Sequence, residues 1–393
     1  MSVLEDIKQN KRIGILSHYH DTTNYGGALQ AYALCQAINQ LGYESEQIDV
    51  DFWKDCVNII DNRSALRKIV RQIKPLYNIL YNIKNRTIIQ KNKEIRDQLR
   101  NAFSAFIAMT PHSGRVYTKK TIADAADYYD IFITGSDQVW NPIWFYEPFF
   151  LSFVPNNKSK IAYAASVAQS QLSEEVKQRY KKYLEEFDAI SVRERSAVEL
   201  ISETSSVKAE YVLDPTLLLD ANQWDSVASK RLIEGPYVLC YFLADNKTPR
   251  MLAEKFSENN CLALANIMHA TGQFHKTDLD FGDIKLSAPS PQDFLSLIKY
   301  ADAIFTDSFH AVVFSHIFQR QYFVFNRDKR GGMSSRITDI TQLFGTQERF
   351  CFDATRETVD YIESCEPIKY TEENRRFEEL KAKSIKFLKD NFA

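Results

Sequence analysis

The chain has 393 residues, 45% of them hydrophobic and 25% charged, enough apolar material for complete cores in two or three domains and too much for global disorder. Its 49 basic side chains against 51 acidic ones leave a formal charge of -2, which argues against a general nucleic-acid binder. The stretch up to Arg12 is mixed charged and polar, and no run of roughly 18 apolar residues occurs, so neither a secretory leader nor a membrane span is expected. Six cysteines, Cys35, Cys56, Cys240, Cys261, Cys351 and Cys365, lie far apart without C-x-x-C spacing. They suggest no metal site and no disulfide framework, and the expected setting is reducing and cytoplasmic.

In chain order, Ile13 to Leu16 reads as a short buried strand. A polar loop through His18, His20 and Asp21 follows, reaching Asn24-Tyr25-Gly26-Gly27, and a helix runs from Ala28 to Leu41. Gly42 stops the helix and Tyr43 to Val50 resumes as a strand, completing a βαβ unit. The glycines are not G-x-G-x-x-G, so no dinucleotide fold is inferred; they mark either a tight turn or close approach to a ligand. Residues 54 to 108 carry twelve Lys or Arg against four Asp or Glu, with Ile69, Ile73, Leu76, Tyr77, Leu80 and Ile83 at helical spacing. This basic helical insertion is either a solvated cover or a face that meets an anionic membrane surface or a phosphate-bearing acceptor.

Tyr129 to Thr134 is the next strand and runs into Gly135-Ser136-Asp137-Gln138-Val139-Trp140-Asn141-Pro142, a polar loop suited to bracing a crevice or lining a sugar site. Ile161 to Ser166 is a strand ending on small residues, and Ser173 caps an amphipathic helix that reaches Phe187. Ala189 to Val192 leads into Arg193-Glu194. Arg193 either grips a carboxylate or phosphate or is taken up by a salt bridge to Glu194 or Asp214. Tyr211 to Pro215 closes the first half, and Leu219 to Glu234 crosses to the second.

The second half alternates again: strands at Tyr237–Leu243 and Cys261–Met268, a helix around Arg250 to Glu258, and a helix over Gln292–Tyr300 opened by Pro291. Ala303 to Thr306 is a buried strand and Ala311 begins an apolar helix, with Asp307, Ser308 and His310 in the turn between them. Such a turn offers N–H groups to an anion, and a histidine there can move a proton near neutral pH. Gln321 to Phe325 is a further strand, Gly331 to Arg336 a glycine-containing loop, and Thr371 to Phe392 a long charged helix. Strands and helices alternating through both halves define an α/β protein with two open-sheet domains facing a cleft. The expected boundaries are 1–220, 221–370 and a C-terminal helix over 371–393 that packs on either domain.

Several motifs together resemble the polysaccharide pyruvyl transferase family: Asn24-Tyr25-Gly26-Gly27-Ala28-Leu29-Gln30, Gly135 to Asn141, Tyr163 to Ser166, Val192-Arg193-Glu194, Leu213 to Thr216, Asp307-Ser308-Phe309-His310 and Ser335-Arg336-Ile337. They keep the family's order from about residue 13 to 345. Where the family commonly has Gly after the histidine, this chain has Ala311. The resemblance implies two Rossmann-like halves similar to the two-domain (GT-B-like) glycosyltransferase fold. It also implies transfer of pyruvyl from phosphoenolpyruvate to two hydroxyls of a sugar, free or lipid-linked, in exopolysaccharide or capsule biosynthesis, without a cofactor. Arg193 and His310 match the family's donor-contacting residues.

On this basis His310 is the candidate acid or base, with Asp137 or Asp307 as its partner. Arg193, Ser308 and Arg336 are donor-binding candidates, and Asn24, Tyr25, Gly26, Gln30, Ser136, Gln138 and Trp140 are acceptor or cleft candidates. Taken alone, His310 also fits a hydrogen-bonded structural histidine. His18 and His20 face either the same cleft or solvent. Two other functions remain compatible with the residues, a nucleotide-sugar-dependent glycosyltransferase of the same shape and a non-catalytic sugar- or anion-binding subunit.

Overall fold

The computed structural model describes residues 11–60, 86–269, 275–327, 334–370 and 375–392. The helical positions expected between Ile69 and Ile83, and the loop Gly331 to Met333, lie outside the described residues.

The first sheet consists of β1 (Arg12–Leu16), β2 (Glu44–Gln47), β3 (Ile131–Thr134), β4 (Ser159–Ala165), β5 (Ala189–Val192) and β6 (Ala209–Tyr211). All pairs are parallel, in the order β2-β1-β3-β4-β5-β6. The second is built from β7 (Tyr237–Tyr241), β8 (Ala263–Ile267), β9 (Ile284–Leu286), β10 (Ala303–Thr306), β11 (Gln321–Phe325) and β12 (Phe350–Cys351), in the order β12-β11-β10-β7-β8-β9. Here too every pair is parallel. Strand order therefore reverses beside β1 and β3 in one sheet and beside β7 and β10 in the other, and an open sheet binds ligands at such points, beyond the carboxyl ends of its strands.

Among the described residues the helices are α1 (Tyr25–Gln40), α2 (Arg86–Ile107), α3 (Glu174–Leu184), α4 (Arg195–Thr204), α5 (Ala221–Asp225), α6 (Lys247–Asn259), α7 (Pro291–Tyr300), α8 (Phe309–Ile317), α9 (Ser334–Phe344), α10 (Thr358–Ser364) and α11 (Arg375–Phe392). Parallel strands buried on both faces read as apolar runs, and alternate residues sort to opposite layers. In β7, Tyr237, Leu239 and Tyr241 join the core between the two sheets, while Val238 and Cys240 face the outer layer under α6. Among the described residues, no helix is long and apolar enough to cross a membrane.

Several boundaries differ from those expected. Helix α1 begins at Tyr25 because the Asn24 side chain accepts a hydrogen bond from Gly27 N at 3.3 Å and caps it. Helix α8 begins at Phe309, so His310 lies within its first turn rather than in the turn before it. Strands β6, β9 and β12, of two or three residues each, are too short to show a period. In α2, Ile95, Leu99, Phe103 and Phe106 are buried while Lys91, Lys93, Arg96 and Arg100 are exposed, so this part of the basic insertion is a cover with a solvated face.

Helix α11 lies over both halves. Its Ser384 Oγ accepts from Leu213 N at 2.9 Å, its Phe392 ring meets Tyr43 at 5.1 Å, and its Phe377 ring lies 5.9 Å from His316 of α8. The His316 imidazole is stacked on Phe344 at 3.6 Å, with its Nδ1 buried and without a hydrogen-bond partner. Burial pushes this histidine from 6.5 down to about 4, so on acidification the unfolded chain takes up a proton that the folded one refuses. The folded state therefore has its full stability above pH 6.5 and loses about 3 kcal/mol through this group as the pH falls to about 4. His316→Phe should keep stability at neutral pH and shrink the acid-dependent loss by about that amount in denaturant unfolding. Equal losses in both proteins would mean the ring is hydrated.

Candidate functional site between the two sheets

Loops at the carboxyl ends of three of the first sheet's strands converge on one guanidinium. Arg193, directly after β5, has a side chain only 1% exposed. One terminal nitrogen donates to Asp214 Oδ2 at 2.6 Å and more weakly to Ser136 Oγ at 3.3 Å; the other donates to Asp137 Oδ1 at 2.9 Å. Asp214 follows β6, and Ser136 and Asp137 follow β3. The Arg193 guanidinium also sits 5.3 Å from the Phe309 ring of α8.

The loop after β3 is held by backbone constraints. Gly135 has φ 114, and a side chain there would collide with the Tyr163 carbonyl oxygen, so only glycine fits. Ser136 N donates to Gln30 Oε1 at 3.1 Å, and Gln30 Nε2 donates to Gly27 O at 3.0 Å, which ties this loop to the first turn of α1. Ser136 Oγ donates to Ala164 O at 3.0 Å. Asp137 takes the left-handed conformation, φ 69, and its carboxylate meets Arg193.

Asp214 links this cluster to the second sheet. Its Oδ1 accepts from Thr216 N at 3.0 Å and Thr216 Oγ1 at 2.7 Å, and its Oδ2 lies 3.7 Å from His310 Nε2, an ion-pair distance rather than a hydrogen bond. Burial alone would raise the Asp214 pKa; contact with His310, the charge of Arg193 and the Thr216 bond hold it far below the usual carboxylate range. Asp137 shows the same opposition, with burial overridden by Arg193, His18, His310 and Arg336. Both carboxylates are therefore ionised at neutral pH. Burial works against the Arg193 cation, but Asp214, Asp137 and Glu194 raise its pKa.

Across the cleft, the His310 ring rests against Gly26. A β-carbon on Gly26 would lie 2.7 Å from His310 Cγ and closer still to Nδ1 and Cε1. Arg336 is buried, its Nε 3.7 Å from Glu194 Oε1, and Glu194 in turn accepts from Ser166 Oγ. Burial lowers the Arg336 pKa to about 10, with Glu194 opposing and Arg193 adding to the shift, so it stays cationic at neutral pH. Arg327, a residue without a role in the sequence reading, reaches the same region: Nη2 donates to Asp307 O at 2.9 Å.

The structure thus gathers Arg193, Asp137, Ser136, His310 and Arg336, and adds Asp214, Glu194, Thr216 and Arg327. Asp214 stood in the sequence only as a salt-bridge partner for Arg193, and the signal for a wider role is its place in Leu213 to Thr216. Asp307 is turned elsewhere: its two oxygens accept from Leu243 N at 2.7 Å and Ala244 N at 2.9 Å, bracing the loop after β7. Ser308 stands at the head of α8 without a side-chain cap bond. Trp140 is core, with Nε1 donating to Phe149 O at 3.1 Å, and Gln138 Oε1 accepts from Asn141. Tyr25 is an anchor between the domains: its hydroxyl donates to Pro289 O at 2.7 Å and its ring stacks on Phe294 at 4.4 Å. His20 pairs with Asp49 at 3.5 Å, whereas His18 is buried beside Asp137 and Arg193.

Two parallel sheets meeting at their switch points give this chain a two-domain, GT-B-like architecture of two Rossmann-like halves. The UDP-GlcNAc 2-epimerase of Methanocaldococcus jannaschii shares that fold, with a TM-score of 0.50, 12% identity and 93% of each chain covered. The S. aureus MnaA–UDP co-structure aligns with a TM-score of 0.45, 12% identity and 94% of each chain covered. A comparison with curated protein sequences finds no match. The sequence model of the polysaccharide pyruvyl transferase family matches residues 24–329, most of the chain, and the chain belongs to that family.

Gly26→Ala pushes a methyl group into the His310 ring and should cost about 1–3 kcal/mol in thermal unfolding while impairing turnover. Unchanged stability and turnover would show that the two domains are not held at this spacing.

Proposed function

We propose that the chain transfers the enolpyruvyl carbons of phosphoenolpyruvate to two hydroxyls of one sugar, forming a ketal and releasing phosphate. The observation that carries this reading is the contact of His310 with Asp214 at the domain boundary, inside the region matched to the family. An ionised Asp214 supplies the counter-charge for an imidazolium on His310. In the proposed sequence His310 protonates the methylene carbon, leaving the adjacent carbon cationic. A sugar hydroxyl oxygen bonds to that carbon and gives up its proton. The carbon–oxygen bond to phosphate then breaks with its electron pair going to phosphate, and the second hydroxyl closes the ketal. Of the two hydroxyl protons released, one balances the new methyl group and one leaves on phosphate.

The donor is a compact multiple anion and needs fixed positive charge. Arg336 and Arg327, with the N–H groups at the head of α8, are placed to supply it. Arg193 has both terminal nitrogens committed to Asp214 and Asp137, so it meets the donor only by sharing them. Its primary effect is to fix the two carboxylates. Asp214 replaces Asp307 as the partner of His310 in this reading, because Asp307 is consumed by the loop after β7.

His310→Gln should abolish most phosphate release from phosphoenolpyruvate in the presence of candidate glycans, with thermal stability retained. A near wild-type rate would remove His310 from the chemistry. Consumption of a sugar nucleotide with no phosphate released from phosphoenolpyruvate would replace the reading with glycosyl transfer, and binding without turnover of either donor would replace it with a non-catalytic subunit. The acceptor belongs to an exopolysaccharide or capsule, free or lipid-linked, and the basic segment over 54–108 suits peripheral contact with an anionic membrane. That contact predicts sedimentation with anionic vesicles that weakens as salt is added; no binding at low salt would dismiss it.

A further inference from the structure

His18 sits two residues past β1, and its environment does not match a histidine that only fills space. Its ring lies flat on Phe52, 4.8 Å away with 7° between planes, and is flanked by Phe149 at 4.9 Å. The residue is 8% exposed, yet its Nε2 is buried without a hydrogen-bond partner. An orphaned buried nitrogen costs on the order of 1–3 kcal/mol, so it points to a ligand group that completes it. Burial, with Asp137 opposing and Arg193 adding, pushes His18 down to about 4, which leaves a neutral imidazole at neutral pH with one nitrogen able to accept. The same charges place the ring at the edge of the Arg193 cluster.

From His18 an aromatic path leads outward. Trp53 is tilted on Phe52 at 4.4 Å and lies 6.1 Å from the His18 ring, and it is 53% exposed. Trp144 stands edge-on to Trp53 at 6.2 Å and lies 6.4 Å from His18. A broad exposed indole leading to a buried neutral acceptor beside ionised carboxylates suits one chemistry well. A pyranose lays its C–H face on the indole and turns a hydroxyl toward the imidazole. An acyl chain would leave Nε2 unmet, and an anion would gain nothing from a neutral ring.

We infer that His18, Trp53 and Trp144 form a sugar subsite in which a pyranose ring stacks on Trp53 and a hydroxyl hydrogen-bonds to His18 Nε2. That this sugar is the acceptor rests on the pyruvyl-transfer reading; that a sugar binds here does not. The subsite lies within the electrostatic reach of Asp137 and Arg193.

The test is a tryptophan-fluorescence titration with the methyl pyranosides of glucose, galactose, mannose and N-acetylglucosamine, alongside calorimetric titration with phosphoenolpyruvate. At least one pyranoside should bind the wild type. Trp53→Ala should bind it roughly tenfold more weakly, Trp53→Phe should recover part of the loss, and His18→Gln should weaken it as well. Phosphoenolpyruvate affinity should be unchanged in Trp53→Ala, whose exposed side chain is not needed for folding. Binding of none of the four pyranosides overturns the subsite, as does equal binding by Trp53→Ala. So does vesicle binding that depends on Trp53 in the absence of pyranoside binding, which would make the patch a lipid contact. If pyranosides bind as expected but phosphoenolpyruvate does not, the subsite stands and the pyruvyl-transfer reading falls.

Discussion

The ion cluster around Arg193 is the constraint on which the rest of the site depends. A guanidinium removed from water carries a desolvation penalty of several kcal/mol, offset only when charged partners and the remaining lone pairs are all in place. Here Asp214 and Asp137 supply the charges, and Thr216 bonds the Asp214 oxygen that Arg193 leaves free. The two carboxylates come from different strand ends, so β3, β5 and β6 must end in register for the network to close. Asp214 carries its effect one step further, because the oxygen that meets Arg193 also faces His310 on the other sheet.

The second sheet has its own brace at the matching place. Asp307 fastens the loop after β7 to the end of β10 through two backbone N–H groups, and Arg327 donates to its carbonyl. Burial raises the Asp307 pKa while Arg327 and the two N–H groups oppose it. The domains are then joined by shape: Tyr25 enters a nest of Phe103, Tyr241 and Phe294, and Gly26 allows the His310 ring against the α1 backbone. Charge organises each half, and close packing sets their separation.

The alternation of apolar strands and helices was legible along most of the chain because parallel strands buried on both faces stand out from polar loops. Ala303 to Thr306 coincides with β10, and the Ser173 cap lies where α3 begins. Strands β6, β9 and β12 were not legible, since they are specified by neighbours in the sheet. For the site, the polar loops after strands pointed to Arg193, Asp137 and His310 and offered Asp214 as a salt-bridge partner of Arg193, but gave no sign that Asp214 also faces His310. Asp307 and Asp214 each follow a strand, and only three dimensions show that the first turns back on β7 while the second faces the histidine. Trp140 misled for a similar reason: a polar loop carrying an indole suggested a cleft, yet its N–H is satisfied inside the core by Phe149 O.

The position of α11 also bears on how the molecule is made. Leu213, beside the site aspartate, gives its N–H to Ser384, 171 residues later. At ~5–20 residues per second on the ribosome, the first sheet waits roughly 10–30 s for that partner to be synthesised. During that interval the surface that α11 covers, including Tyr43 and Tyr163, is open to solvent and to other nascent chains. The last helix is thus a closing seal, and a truncated transcript yields a first domain whose edge beside Asp214 has never been finished.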